Sequence, residues 1–69
     1  MNLSLSRELG RLFLEANPSP EERQVIVEAI NSPQAERVVS GEELPGRAGA
    51  LVVALRRRAA ARRAGNAAG

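Results

Sequence analysis

The sequence predicts an all-α fold: a small bundle of three main helices plus one short helix, ending in a basic C-terminal helix or arm. Three observations predict it. Apolar residues recur at three- and four-residue intervals over Leu5–Ala16 and again over Ala48–Leu55, the spacing of one helix face. Ser-Pro occurs at Ser19-Pro20 and at Ser32-Pro33, each time ahead of a run with helical spacing; Ser at the cap and Pro at the first helical position is a start signal. The chain closes on an Arg- and Ala-rich stretch, and both residue types rank high in helix propensity.

The first helix runs from about Ser4 to Ala16. Leu5, Leu9, Leu12, Phe13 and Ala16 form its apolar face. Arg7, Glu8, Arg11 and Glu15 occupy the other side, with Glu8/Arg11 and Arg11/Glu15 at pairing distance. Gly10 costs ~1 kcal/mol relative to Ala and leaves room for another helix to come close. Leu14 lies off the stripe, a candidate for a second contact. Asn17-Pro18 ends the helix, because the residue before Pro avoids the α region.

The second helix has the clearest start. Ser19-Pro20-Glu21-Glu22 places Ser at the cap, Pro first and Glu third, so the Ser oxygen and the Glu22 carboxylate satisfy backbone N–H groups reciprocally. Val25, Ile26, Ala29 and Ile30 form the buried face, with Val27 at its margin, and the helix ends near Asn31. Ser32-Pro33 then caps a short helix that turns Ala35, Val38 and Val39 inward and stops at Gly41, a natural left-handed terminator. It spans about two turns and depends on packing.

The last helix begins near Leu44-Pro45 or a few residues later. Ala48, Leu51, Val52 and Leu55 form one stripe; Gly46, Ala50 and Ala54 form a second stripe of small residues opposite, with Val53 beside it. A strand over Leu51–Leu55 is the alternative, since Val-Val favours sheet, but no second strand is at hand to pair with it. Residues 64–69 read as a frayed tail. The organisation expected is a single helical domain over 1–55 and an Arg-rich extension and tail over 56–69.

Composition narrows the chemistry. A chain of 69 residues is marginal alone. Cys and His are absent, which removes disulfides, thiolate clusters and imidazole ligands; self-association or partner binding is left as reinforcement. Lys, Tyr, Trp and Asp are absent too, so Glu alone is left for acid–base work, and Ser has no basic neighbour to activate it. Glu21-Glu22 and Glu42-Glu43 stand where helix starts favour negative charge. The expectation is a non-enzyme with no catalytic residue, metal, cofactor or small-molecule substrate. No basic region followed by an apolar stretch and a cleavage site opens the chain. The longest uncharged apolar run falls far short of the ~20 residues that span a bilayer. A soluble cytoplasmic protein, not a membrane one, is expected. All ten basic residues are Arg and Ala is abundant, a bias of GC-rich coding, which points to a bacterial or phage source.

Two features carry the functional reading. The first is charge-free Ala48–Leu55. A helix apolar all round is surrounded, and a chain this small covers one side more easily than both. Gly46, Ala50, Val53 and Ala54 are therefore the candidate interface, filled by a second copy or another protein; single exposed small residues are also ordinary on a surface.

The second feature is the cluster Arg56, Arg57, Arg58, Arg62 and Arg63. From Pro45 onward there are six Arg and no Glu, whereas residues 1–44 carry four Arg and eight Glu. At 100° per residue the five arginines point in nearly every direction, so the segment is expected to project as a basic spike or unfold into a basic arm. Phosphate contacts by all five would give a salt slope of about −4.5 on duplex DNA, without sequence reading and without aromatic stacking. Complementing the helix dipole and keeping the chain soluble explain the same arginines more plainly. A helix-turn-helix across Asn31-Ser32-Pro33, with Gln34 and Arg37 reaching bases, has poor register: Ser32 follows the turn and Arg37 takes an apolar position. The reading is thus a small interaction or regulatory protein, a homo-oligomer or the partner of another protein. The alternative is a nucleic-acid-binding accessory protein using the Arg cluster.

Overall fold

The computed structural model describes the backbone of residues 3–68 and the side chains of residues 5–65. Three α-helices order the chain: α1 (Leu3–Ala16), α2 (Pro20–Ile30) and α3 (Arg47–Ala68), with 3-10 turns at Pro33–Arg37 and Gly41–Glu43 between the last two. There is no strand among the described residues. Val52 and Val53 lie inside α3, where propensity for sheet is overridden by the helix continuing on both sides.

Local signals set the helix ends. Asn17 takes a left-handed φ of 50° and its N–H donates to the Phe13 carbonyl at 3.0 Å; Asn tolerates that region better than most residues, and Pro18 forbids a further turn. At the start of α2 the reciprocal cap forms: the Glu22 N–H donates to Ser19 Oγ at 3.2 Å and the Ser19 N–H to Glu22 Oε1 at 2.9 Å. Asn31 caps the other end.

The path is up, down and up. Leu5, at the start of α1, shares a surface cleft with Ile30, Asn31, Pro33 and Ala35, so α2 returns to the foot of α1. From there α3 climbs again beside α1. Leu5, Leu9, Leu12 and Ala16 from α1, Ile26 from α2, Ala35, Val38 and Leu44 from the connection, and Ala48, Val52, Leu55 and Ala59 from α3 are all buried. Phe13, Val25, Ala29, Ile30 and Leu51 pack against that core half-buried, and Val27 sits at the margin, 40 % exposed.

The region after α2 differs from the sequence expectation. The expected short helix is a 3-10 turn that closes at Arg37, with Val38 in extended conformation. Successive side chains of an extended segment point to opposite sides, so Val38 is buried while Val39 is 78 % exposed instead of facing inward. Gly41 is not a left-handed terminator: it opens the second 3-10 turn, and a Cβ on it would stand 2.8 Å from Val52 Cγ1 and 3.2 Å from Leu9 Cδ2. Close approach to the α1–α3 seam is what this position requires. The left-handed glycine is Gly46 (φ 63°), which turns the chain into α3. The tail differs as well. Residues 64–68 continue the helix, while Gly69 lies outside the described residues.

Gly10 faces open space and Leu14 is 87 % exposed, so neither meets another helix of this chain.

Candidate interaction surface on the last helix

Helix α3 is 22 residues long, about 33 Å at 1.5 Å per residue, in a molecule 43 Å along its longest axis. Its inner stripe is Ala48, Val52, Leu55 and Ala59, all buried. That stripe goes one turn beyond Leu55, the last of its residues named from the sequence, and α3 runs unbroken through Leu55 and Arg56.

The inner stripe has the 4-3-4 spacing of Leu5, Leu9, Leu12 and Ala16 on α1, each residue 43 positions later. This is the seam spacing of paired helices. Ion pairs flank the seam in the same rhythm. Arg56 meets Glu8 and, seven residues on in both helices, Arg63 meets Glu15. The two helices therefore run parallel. Arginine and glutamate are 48 positions apart, five more than the seam residues, because a side chain flanking a parallel seam reaches a partner further along the neighbouring helix. The flank forms a groove lined by Glu8, Arg11, Glu15, Arg56, Ala60 and Arg63.

The remaining arginines divide. Arg56 also reaches Glu42 of the second 3-10 turn at 2.7 Å. Arg58 points to the other side and grips Glu22 of α2 with both arms of its guanidinium, at 3.3 and 3.4 Å. The Glu22 carboxyl is held below its ordinary range, first by the backbone N–H of Ser19 and then by Arg58. Arg57 and Arg62 are exposed and make no ion pair among the described residues. The basic cluster is thus not a uniform spike. Three of its five members, Arg56, Arg58 and Arg63, are held against the body, although Ala60 to Gly65 are all exposed.

The proposed interface residues lie on the outward side. Ala50 and Ala54 are exposed and Val53 is half-buried; Gly46 is exposed too, but it stands in the turn ahead of α3 with a left-handed φ and so is not part of the helical stripe read from the sequence. The large apolar residues of the charge-free run are covered by the chain itself: Val52 and Leu55 are fully buried and Leu51 half-buried. At 100° per residue Arg57 joins Ala50 and Val53 on the same outward face. Gln34 and Arg37, on the 3-10 turn, are exposed.

Sequence reasoning missed the ion pairs. The signal was there: Glu8 and Glu15 are seven residues apart, as are Arg56 and Arg63, and both sets flank stripes of identical spacing. Chemistry at the groove is limited, since Glu8 and Glu15 are each neutralised by an arginine. Among the described residues no three metal-ligating side chains gather, and no helix is long and apolar enough to cross a membrane. Compared with protein-family models, curated proteins and solved structures, the chain finds no match.

Proposed function

We propose that this chain is a small non-enzymatic interaction or regulatory protein that docks on another polypeptide through the outer face of α3, in the simplest case on a second copy of itself. The observation that carries the reading is the exposed pair Ala50 and Ala54 with Val53 at its edge, on a helix whose opposite stripe is anchored in the core, with Gly46 exposed in the turn just ahead of it. Small side chains let a second helix approach closely, and the helix needs no reordering to receive it, which lowers the cost of binding.

Arg57 restricts the geometry. Two copies crossing at the middle of α3 would bring their Arg57 side chains together. A crossing centred near Ala50 keeps each Arg57 about 10 Å along the helix from the centre. Light scattering tests this: a multimer at micromolar concentration that Ala50→Trp converts to a folded monomer supports the reading. A multimer that survives both Ala50→Trp and Ala54→Trp, or a monomer that captures no protein, rejects it.

A second reading rests on a different observation. Arg57 and Arg62 have no acidic partner among the described residues, and no Glu lies between Pro45 and Gly69. The two arginines are about 140° apart around α3. A helix carrying cations on two sides suits a groove with a phosphate wall on each side. In this reading the chain is a nucleic-acid-binding accessory protein without base readout.

A further inference from the structure

We infer that the acidic body is a built-in competitor for the arginines of α3, so that binding of a nucleic-acid phosphate backbone is held in check by Glu8, Glu15, Glu22 and Glu42. The inference rests on the nucleic-acid reading above. The four carboxylates come from three elements of the body: two from α1, one from α2 and one from the second 3-10 turn. Together they engage Arg56, Arg58 and Arg63. Glu22 takes the Arg58 fork in the two-armed manner in which a guanidinium takes a phosphate. A phosphate and these carboxylates therefore seek the same donors.

Competition here weakens binding without preventing it. The arginine side chains in these pairs are 37 % to 68 % exposed, and exposed pairs are weak. Duplex DNA carries one charge per ~1.7 Å of its axis, so it displaces them at low salt. The competition leaves a signature in the salt dependence. When an arginine already paired with glutamate moves to a phosphate, the DNA releases a counterion but the freed carboxylate recruits one. The net release is close to zero. Only Arg57 and Arg62 then contribute, and the log–log slope is about −1.8 instead of the −4.5 of five unpaired arginines.

The test is fluorescence anisotropy with a short duplex DNA over a salt series, on three folded 69-residue proteins checked by circular dichroism. One is the natural chain. The second carries Glu8→Gln, Glu15→Gln and Glu42→Gln, which releases Arg56 and Arg63. The third carries Glu21→Gln, Glu28→Gln and Glu36→Gln, which raises the net charge equally without releasing any arginine. The second protein should bind about tenfold more tightly than the third at low salt, with its slope steepened to about −3.6. The third should keep the shallow slope. Equal slopes and affinities in the second and third overturn the competition while leaving the nucleic-acid reading in place. Absence of binding by all three at low salt overturns that reading itself. Preferential binding of poly-glutamate over DNA by the second protein overturns both in favour of an acidic polypeptide partner. Should the triple variant fail to fold, Glu15→Gln alone releases Arg63 and should steepen the slope by about 0.9; an unchanged slope sinks the inference.

Discussion

Gly49 stands so close to the carbonyl of Leu44 that a Cβ on it would lie 2.7 Å from that oxygen, and 2.8 Å from the carbonyl oxygen of Glu42. Both obstacles are backbone, so neither swings aside. The turn before α3 thus rests directly on the first helical residues. Intrinsic propensity favours Ala over Gly in a helix by ~1 kcal/mol, yet here the clash reverses the sign. Gly49→Ala should destabilise the protein by about 1–3 kcal/mol, the usual cost of overpacking. The measurement is the urea midpoint; a rise would show that the turn moves away freely.

Gly10 is the matching control. It lies inside α1, a Cβ would meet nothing within 4 Å, and its φ is not in the left-handed region. Gly10→Ala should therefore stabilise by about 0.5–1 kcal/mol through the unfolded chain and the helix. A lowered thermal midpoint would mean that this face is covered by something outside the chain, such as a second copy.

These opposite signs mark how far the sequence alone reaches. Helices α1 and α2 were legible because each carries its own instructions: Asn17-Pro18 stops one, and Ser19 with Glu22 starts the next. The burial of Leu5, Leu9, Leu12, Ile26, Val52 and Leu55 was legible from periodicity. Residues 32–46 were misread in part because 3-10 turns and extended residues have no period to detect, so Val39 was turned inward and Gly41 was given a left-handed role. The Arg cluster was read as a projecting spike because partners of Arg56, Arg58 and Arg63 lie 14 to 48 positions earlier in the chain. Local pattern does not report such pairs, although the matching heptad spacings on α1 and α3 do once the two helices are set side by side.

Glu22 ties the acid dependence of folding to one carboxylate. Its folded pKa is depressed, chiefly by the Ser19 N–H and then by Arg58. A depressed carboxylate contributes stability above its unfolded pKa and loses it as pH falls through the folded value. The window thus opens at about the ordinary Glu value of 4.5 and extends below it. Glu22→Gln keeps a residue type that serves in a capping box but neither titrates nor pairs as an anion. In urea titrations across that window, the natural chain should lose more stability on acidification than the variant. Parallel pH profiles would remove Glu22 from the account.

Ile26 tests whether α2 is needed. It is the one fully buried residue of that helix, at 0 % exposure. Ile26→Ala should cost about 2–5 kcal/mol. Globular chains hold roughly 0.05–0.15 kcal/mol per residue, so a domain this small retains little after that loss. The helical circular dichroism signal should fall by a large fraction at room temperature. A cooperative melt close to the natural one would mean that α1 and α3 pair stably without α2.

The last turns of α3 separate folding from contact with a partner. The inner stripe ends with Ala59, and Ala60, Ala61, Arg62, Arg63, Ala64 and Gly65 are all exposed. Ending the chain after Ala61 removes the Arg63–Glu15 pair, and a surface pair contributes ~0–1 kcal/mol. The thermal midpoint of the shortened chain should therefore stay within a few degrees of the natural one. In the nucleic-acid reading its affinity for DNA should fall, since Arg62 is one of the two cluster arginines without an acidic partner among the described residues. In the protein-docking reading, where Gly46, Ala50, Val53 and Ala54 make the contact, self-association should persist. A large drop in thermal midpoint, vanishing on dilution of the natural chain, would instead place these turns inside an interface between copies.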